Sequence, residues 1–151
     1  MKDIRLLPTG LSPGKALGVF TKAHPHAGGI ASFVGKVRPD EGVKVLELSH
    51  YEPLTLPGME ALGEAAAERW PLDGILIHHR IGTMRPGAPI VLVAAAARHR
   101  RDAFEAVDFA MDHLKSDAWF WKRERRADGW RWIEPREEDH ADRARWLADQ
   151  S

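Results

Sequence analysis

Ile90–Lys115 reads IVLVAAAARHRRDAFEAVDFAMDHLK, and a change of period inside it decides the fold. Ile90 to Ala97 is apolar at every position, as in a strand covered on both faces. From Arg100 to Ala118, Ala103, Val107, Ala110, Met111, Leu114 and Ala118 recur at helical spacing. This predicts an amphipathic helix lying on the sheet that contains the strand.

Upstream, Ile75 to Ile81 is a second strand, joined to the first through the turn TMRPG. GGIASFVGKVR, Gly28–Arg38, sets Ile30, Ser32, Val34, Lys36 and Arg38 against Ala31, Phe33, Gly35 and Val37, the alternation of a strand. Pro39-Asp40-Glu41-Gly42 has turn chemistry and VKVLELSHY, Val43–Tyr51, resumes the strand period, so the two runs are expected to form a hairpin. Thr55 to Trp70 is expected to be helical, with Met59, Leu62, Ala66 and Trp70 on one stripe and Pro71 ending it.

Downstream, Trp119–Arg126 and Trp130–Pro135 flank Asp128-Gly129, a strong hairpin signal. A two-residue turn there sets Arg123 opposite Glu134. Glu137 to Gln150 carries acids first and arginines later, the pattern of a charged surface helix, so 137–151 reads as a charged tail. The expected architecture is one α+β domain over 1–151, with an antiparallel sheet, hairpins and two main helices.

Lysine plus arginine equals aspartate plus glutamate at 22 each, so no bulk charge draws the chain to nucleic acid or anionic lipid. Any basic patch must be local. The absence of cysteine excludes a disulfide, a thiolate-bound metal, and a cysteine nucleophile or persulfide on this chain. The start has no signal-like apolar stretch and the longest apolar run is too short for a bilayer, which predicts a soluble, cytoplasmic protein. His24-Pro25-His26 and His78-His79 lack a supporting metal-binding pattern, and there is no GxGxxG, Walker or GxSxG motif. Neither metal nor cofactor is expected.

Three places break the local rules, as functional sites tend to. Arg98-His99-Arg100-Arg101 puts cations at a helix N-terminus, where the dipole favours anions. Either a bound anion such as phosphate satisfies both, or Asp102 and Glu105 neutralise the run as surface pairs. Lys115 projects at the edge of the apolar stripe, where partial desolvation would favour its neutral form, unless its stem merely snorkels toward Asp108, Asp112 or water. In WFWKRERR, Lys122 has no obvious cross-strand partner, and Glu124 two residues on is placed to orient it.

GGIASFVGKVR, HRIG at His79–Gly82, AAAARHRRDAFEAVDFAMDHLK at Ala94–Lys115, FWKRE at Phe120–Glu124 and the DGWRWIE run together resemble the MoaE family, the large, catalytic subunits of molybdopterin synthase. The resemblance runs from about Gly28 to Trp146; the first twenty-odd residues match weakly. Trp119 replaces a proline common before FWKRE, and EPLTLPGM is a longer connection than in some members.

The resemblance implies an α/β hammerhead fold and a homodimer of large subunits at the centre of a heterotetramer. It also implies a small ubiquitin-like sulfur carrier ending in Gly-Gly, whose C-terminal thiocarboxylate converts cyclic pyranopterin monophosphate, or precursor Z, to molybdopterin. Carried over by position, the substrate-binding residues are Lys36, Val37, Arg38, His99, Arg100, Lys115, Lys122, Arg123 and Glu124, with Lys115 and Lys122 catalytic. Arg136, Met111 and Phe33 are additional candidates, and His99 and Arg100 are expected to serve the neighbouring subunit's pocket.

Both implied reactants are anions, and bringing two unit charges to about 4 Å costs about 4 kcal/mol at an effective dielectric of about 20. A cationic pocket offsets that repulsion. The rival reading is a non-catalytic anion- or nucleic-acid-binding module using the Trp/Arg-rich hairpin. Zero net charge and the lack of an RNP or KH pattern weigh against nucleic acid.

Overall fold

The structure, a computed structural model, describes residues 1–39, 42–116, 119–134 and 137–148. Elements run in the order β1 (Lys2–Leu7), α1 (Pro13–Ala23), β2 (Gly29–Lys36), β3 (Val45–His50), α2 (Glu52–Arg69) and β4 (Leu72–Arg80). Then follow β5 (Gly82–Met84), β6 (Pro89–Ala97), α3 (Arg100–Ser116), β7 (Phe120–Arg126), β8 (Gly129–Ile133) and α4 (Glu137–Ala148). The strands form two four-stranded sheets, β1-β4-β6-β2 and β5-β3-β7-β8. The α+β expectation holds.

β6 is interior to its sheet, between β4 and β2, and buried along most of its length. Its pleat explains why every position is apolar. Val91, Val93, Ala95 and Ala97 pack with Met59, Leu62 and Ala66 of α2 and Ala103, Ala106 and Ala110 of α3. Leu92, Ala94 and Ala96 face the opposite way, onto Leu11 and Phe20 at α1. Two-sided cover removes the polar face that an alternating strand would keep.

The segment Lys2–Ala23, without an expected element, forms β1 and α1. β1 pairs parallel to β4, Lys2 opposite Ile75 through Leu7 opposite Arg80, so the sheet is not purely antiparallel. The expected β2/β3 hairpin does not form. β2 pairs with β6, whereas β3 pairs with β5 and β7. The reason lies just past β2: the Val37 N–H donates to the Ala88 carbonyl at 2.9 Å and the Val37 carbonyl accepts from the Gly87 N–H at 2.8 Å. The chain continues along the β6 edge where local turn chemistry suggested reversal.

The β7/β8 hairpin forms, but its turn sits at Ala127–Asp128, and Gly129 opens β8 at φ +115°, a conformation suited to glycine. Arg126 therefore opposes Gly129, and Arg123 opposes Trp132 instead of Glu134. The C-terminal stretch is helical as expected, but it is more than a surface helix. Trp146 is buried edge-on to Trp70 and Phe109, and its Nε1 donates to Asp112 at 2.6 Å. Arg145 reaches Asp108 and Asp112 on α3. Among the described residues, no helix is long and apolar enough to cross a membrane.

Candidate active site

A cleft of about 250 Å³ opens where the second sheet meets β2, β6 and the C-terminal end of α3. Lys36, Val37 and Arg38 enter it through an irregularity in β2: the register with β6 shifts between Gly35, opposite Val91, and Lys36, opposite Pro89. A Cβ at Gly35 would lie 2.7 Å from Val91 Cγ1, so glycine permits this close approach. Phe33 and Gly35 line the same wall.

The last two turns of α3 contribute Met111, Leu114 and Lys115. Strand alternation in β7 directs Phe120, Lys122 and Glu124 into the cleft, and Ile133 and Glu134 follow from the adjacent strand and its end. α4 adds the buried Asp139, and β4 adds His79. Lys36, Arg38, Lys115 and Lys122 thus converge from three separate stretches of sequence.

Enclosure falls on Lys122, while Lys115 is exposed, the reverse of the expected desolvation at Lys115. Burial, followed by the nearby charge of Lys115, pushes the Lys122 ammonium down to about 8; Arg38 acts in the same direction and Asp139 opposes it. An amine in that range exchanges protons near neutral pH. Glu124, expected to orient Lys122, is engaged by Arg126 at 2.9 Å.

His79 is stacked on Phe120, with ring centroids 4.0 Å apart and planes at 15°. Burial holds its imidazole down to about 4, helped by the charges of Lys122 and Lys115 against the opposing Arg80 carbonyl contact. It is a neutral ring in a cationic cleft. Neither His79 nor Asp139 was among the sequence candidates. Asp139 falls in the acid-rich start of a helix that reads as solvated, and His79 in a strand reads as structural; its place in HRIG was the available signal.

Other candidates lie elsewhere. Arg123 points to the opposite face of β7, paired with Glu47 through Nε–Oε1 at 2.8 Å and Nη2–Oε2 at 3.0 Å. It also stacks over Trp130 at 4.1 Å, which occupies one face of an aromatic that the nucleic-acid reading needs free. His99 and Arg100 are exposed at the start of α3 and do not line this chain's cleft. Glu105 accepts from Trp70 Nε1 at 2.8 Å, and among the described residues it makes no ion pair with the Arg98–Arg101 run, nor does Asp102. The surface-pair explanation of that run therefore loses its partners. Arg136 lies outside the described residues.

The family model described as MoaE protein matches residues 11–117. A molybdopterin synthase catalytic subunit from Ralstonia nicotianae is 41% identical over 149 residues, covering 97% of this chain and 85% of its own length. The solved molybdopterin biosynthesis MoaE protein from Burkholderia ambifaria is 39% identical with a TM-score of 0.83, over 97% of this chain and 98% of that one. A chain of the protein–protein complex of subunits 1 and 2 of molybdopterin-converting factor from Helicobacter pylori shares the fold at 20% identity and TM-score 0.73, over 89% and 90%. A match spanning most of the chain, in sequence and in three dimensions, places it plainly: the chain belongs to the MoaE protein family.

Proposed function

We propose that the protein is the catalytic subunit of molybdopterin synthase, a sulfurtransferase of molybdenum cofactor biosynthesis. The observation that carries this reading is the convergence of Lys36, Arg38, Lys115 and Lys122 in one cleft of a chain without cysteine. The substrate is the cyclic pyranopterin monophosphate, and sulfur arrives as the C-terminal thiocarboxylate of a small ubiquitin-like partner ending in Gly-Gly. This chain need never hold sulfur covalently. The reaction is set in the cytoplasm.

Arg38 and Lys36, on the β2 wall, offset the substrate's phosphate charge. Lys115, exposed at the mouth, meets the carrier tail and stabilises negative charge on the thiocarboxylate as its sulfur adds to the pterin. Lys122, deeper and easily deprotonated, takes and returns the protons that sulfur addition and opening of the cyclic phosphate require. Water then cleaves the acyl–sulfur bond, so sulfur stays on the pterin and the spent carrier leaves as the carboxylate; each product takes two sulfurs, so a fresh carrier replaces it.

His99 and Arg100 stand outside this chain's cleft with exposed cationic or hydrogen-bonding side chains. We assign them to the pocket of a second large subunit, in a homodimer flanked by two carriers. The testing experiment is sulfuration of the cyclic precursor by purified protein and thiocarboxylated carrier. Wild type should form molybdopterin, and Lys115→Ala should lower turnover by about 100-fold or more. Near-normal turnover in Lys115→Ala would remove its catalytic role.

A further inference from the structure

His79 has a geometry its structural contacts do not use up. Its Nδ1 lies 2.8 Å from the Arg80 carbonyl oxygen. A carbonyl only accepts, so the ring proton sits on Nδ1 and Nε2 carries the lone pair. Among the described residues Nε2 has no hydrogen-bond partner, yet it is not sealed in as Nε2 of His24 and of His78 are. The residue lines the cleft, which places this unused acceptor at the cleft wall.

The stack on Phe120 fixes the ring plane, and the tie to Arg80 fixes its tautomer. Burial, helped by Lys122 and Lys115 close by, discourages protonation, so the acceptor persists at neutral pH. A rigid, uncharged acceptor beside cations suits a ligand that pairs an anionic group with an N–H donor on a flat heterocycle. A phosphate alone would not need it.

We propose that His79 is a substrate-specificity residue, its Nε2 accepting a hydrogen bond from an N–H of the pterin ring system. This inference rests on the molybdopterin synthase reading. Losing one such bond is worth about a tenfold change in affinity.

Two amide substitutions separate this role from a structural one, because an asparagine amide replaces Nδ1 and a glutamine amide replaces Nε2. The full-length protein, His79→Asn and His79→Gln are compared for thermal midpoint, calorimetric binding of the cyclic precursor, and KM and kcat with thiocarboxylated carrier. His79→Asn should keep its midpoint near wild type while precursor Kd and KM rise about tenfold and kcat stays within about twofold. His79→Gln should keep Kd within about threefold even where its midpoint falls.

The opposite ranking, with the asparagine variant binding normally and the glutamine variant weakly, overturns the proposal, as does equal binding by all three. Wild-type binding without turnover would defeat the enzymatic reading while the Kd ranking still decides His79. No wild-type binding of the precursor overturns both.

Discussion

Lys122 shows how position converts an ordinary side chain into a reactive one. It differs from Lys115 in little but depth, yet burial and the charges of Lys115 and Arg38, against that of Asp139, bring it down to about 8 while its partner stays at the mouth. A group acting as a base works in its neutral form, which grows as pH rises through that value. The kcat/KM profile for precursor should therefore climb between about pH 7 and 9 with an inflection near 8. Lys122→Arg should lose at least about 100-fold and flatten that limb, since guanidinium stays charged across the range. His79, held down to about 4, should add no inflection near 6. The cationic candidates were legible because each violated a local rule or fell in a recognisable motif. Their relative depth was not, because it depends on which strand face and which helix turn become walls.

At the level of elements, local period revealed strands and helices far better than it revealed their partners. β2, β3, β4, β6, α2 and α3 all stand where alternation or helical spacing put them, to within a few residues at the ends. Pairing is a non-local choice, so turn chemistry after β2 suggested a hairpin that the β6 edge outcompeted. The β7/β8 register differs from expectation for a related reason: Gly129 serves as the left-handed residue beginning a strand, one place later in the hairpin than expected. α4 was legible as a helix but not as a docked one, since a single buried tryptophan is hidden among charges. That anchor is testable. Trp146→Ala should destabilise the protein by about 3 kcal/mol in urea unfolding, through the cavity left against Trp70 and Phe109 and the lost bond to Asp112. Trp146→Phe should retain much of the packing.

For the molecule as a whole, a net charge of zero coexists with a cleft in which Lys36, Arg38, Lys115 and Lys122 outnumber Glu124, Glu134 and Asp139, because other acids are committed elsewhere. Glu47 is committed to Arg123, and Asp108 and Asp112 to Arg145. The field is thus local. Precursor affinity should fall on the order of tenfold as salt rises from about 0.1 M to about 1 M, where screening length drops from about 10 to about 3 Å. Random single-stranded oligonucleotides should show no micromolar binding in the same buffer; salt-sensitive binding in a mobility shift would revive the rival module. Composition alone exposed the missing cysteine and the missing bulk charge, but only the folded chain brings residues 36, 38, 115 and 122 together.

The register shift at Gly35/Lys36 also limits how this chain can change length. Side chains alternate along a strand, so one residue removed there would advance everything after it by one pleat. The site now holding buried Val37 would receive Arg38, and the cleft wall would lose its guanidinium. A single-codon deletion in this stretch should thus cost both core and site. The solvated turn around Arg85–Pro86, which carries no side chain of the cleft, is the better place for insertions and deletions to accumulate.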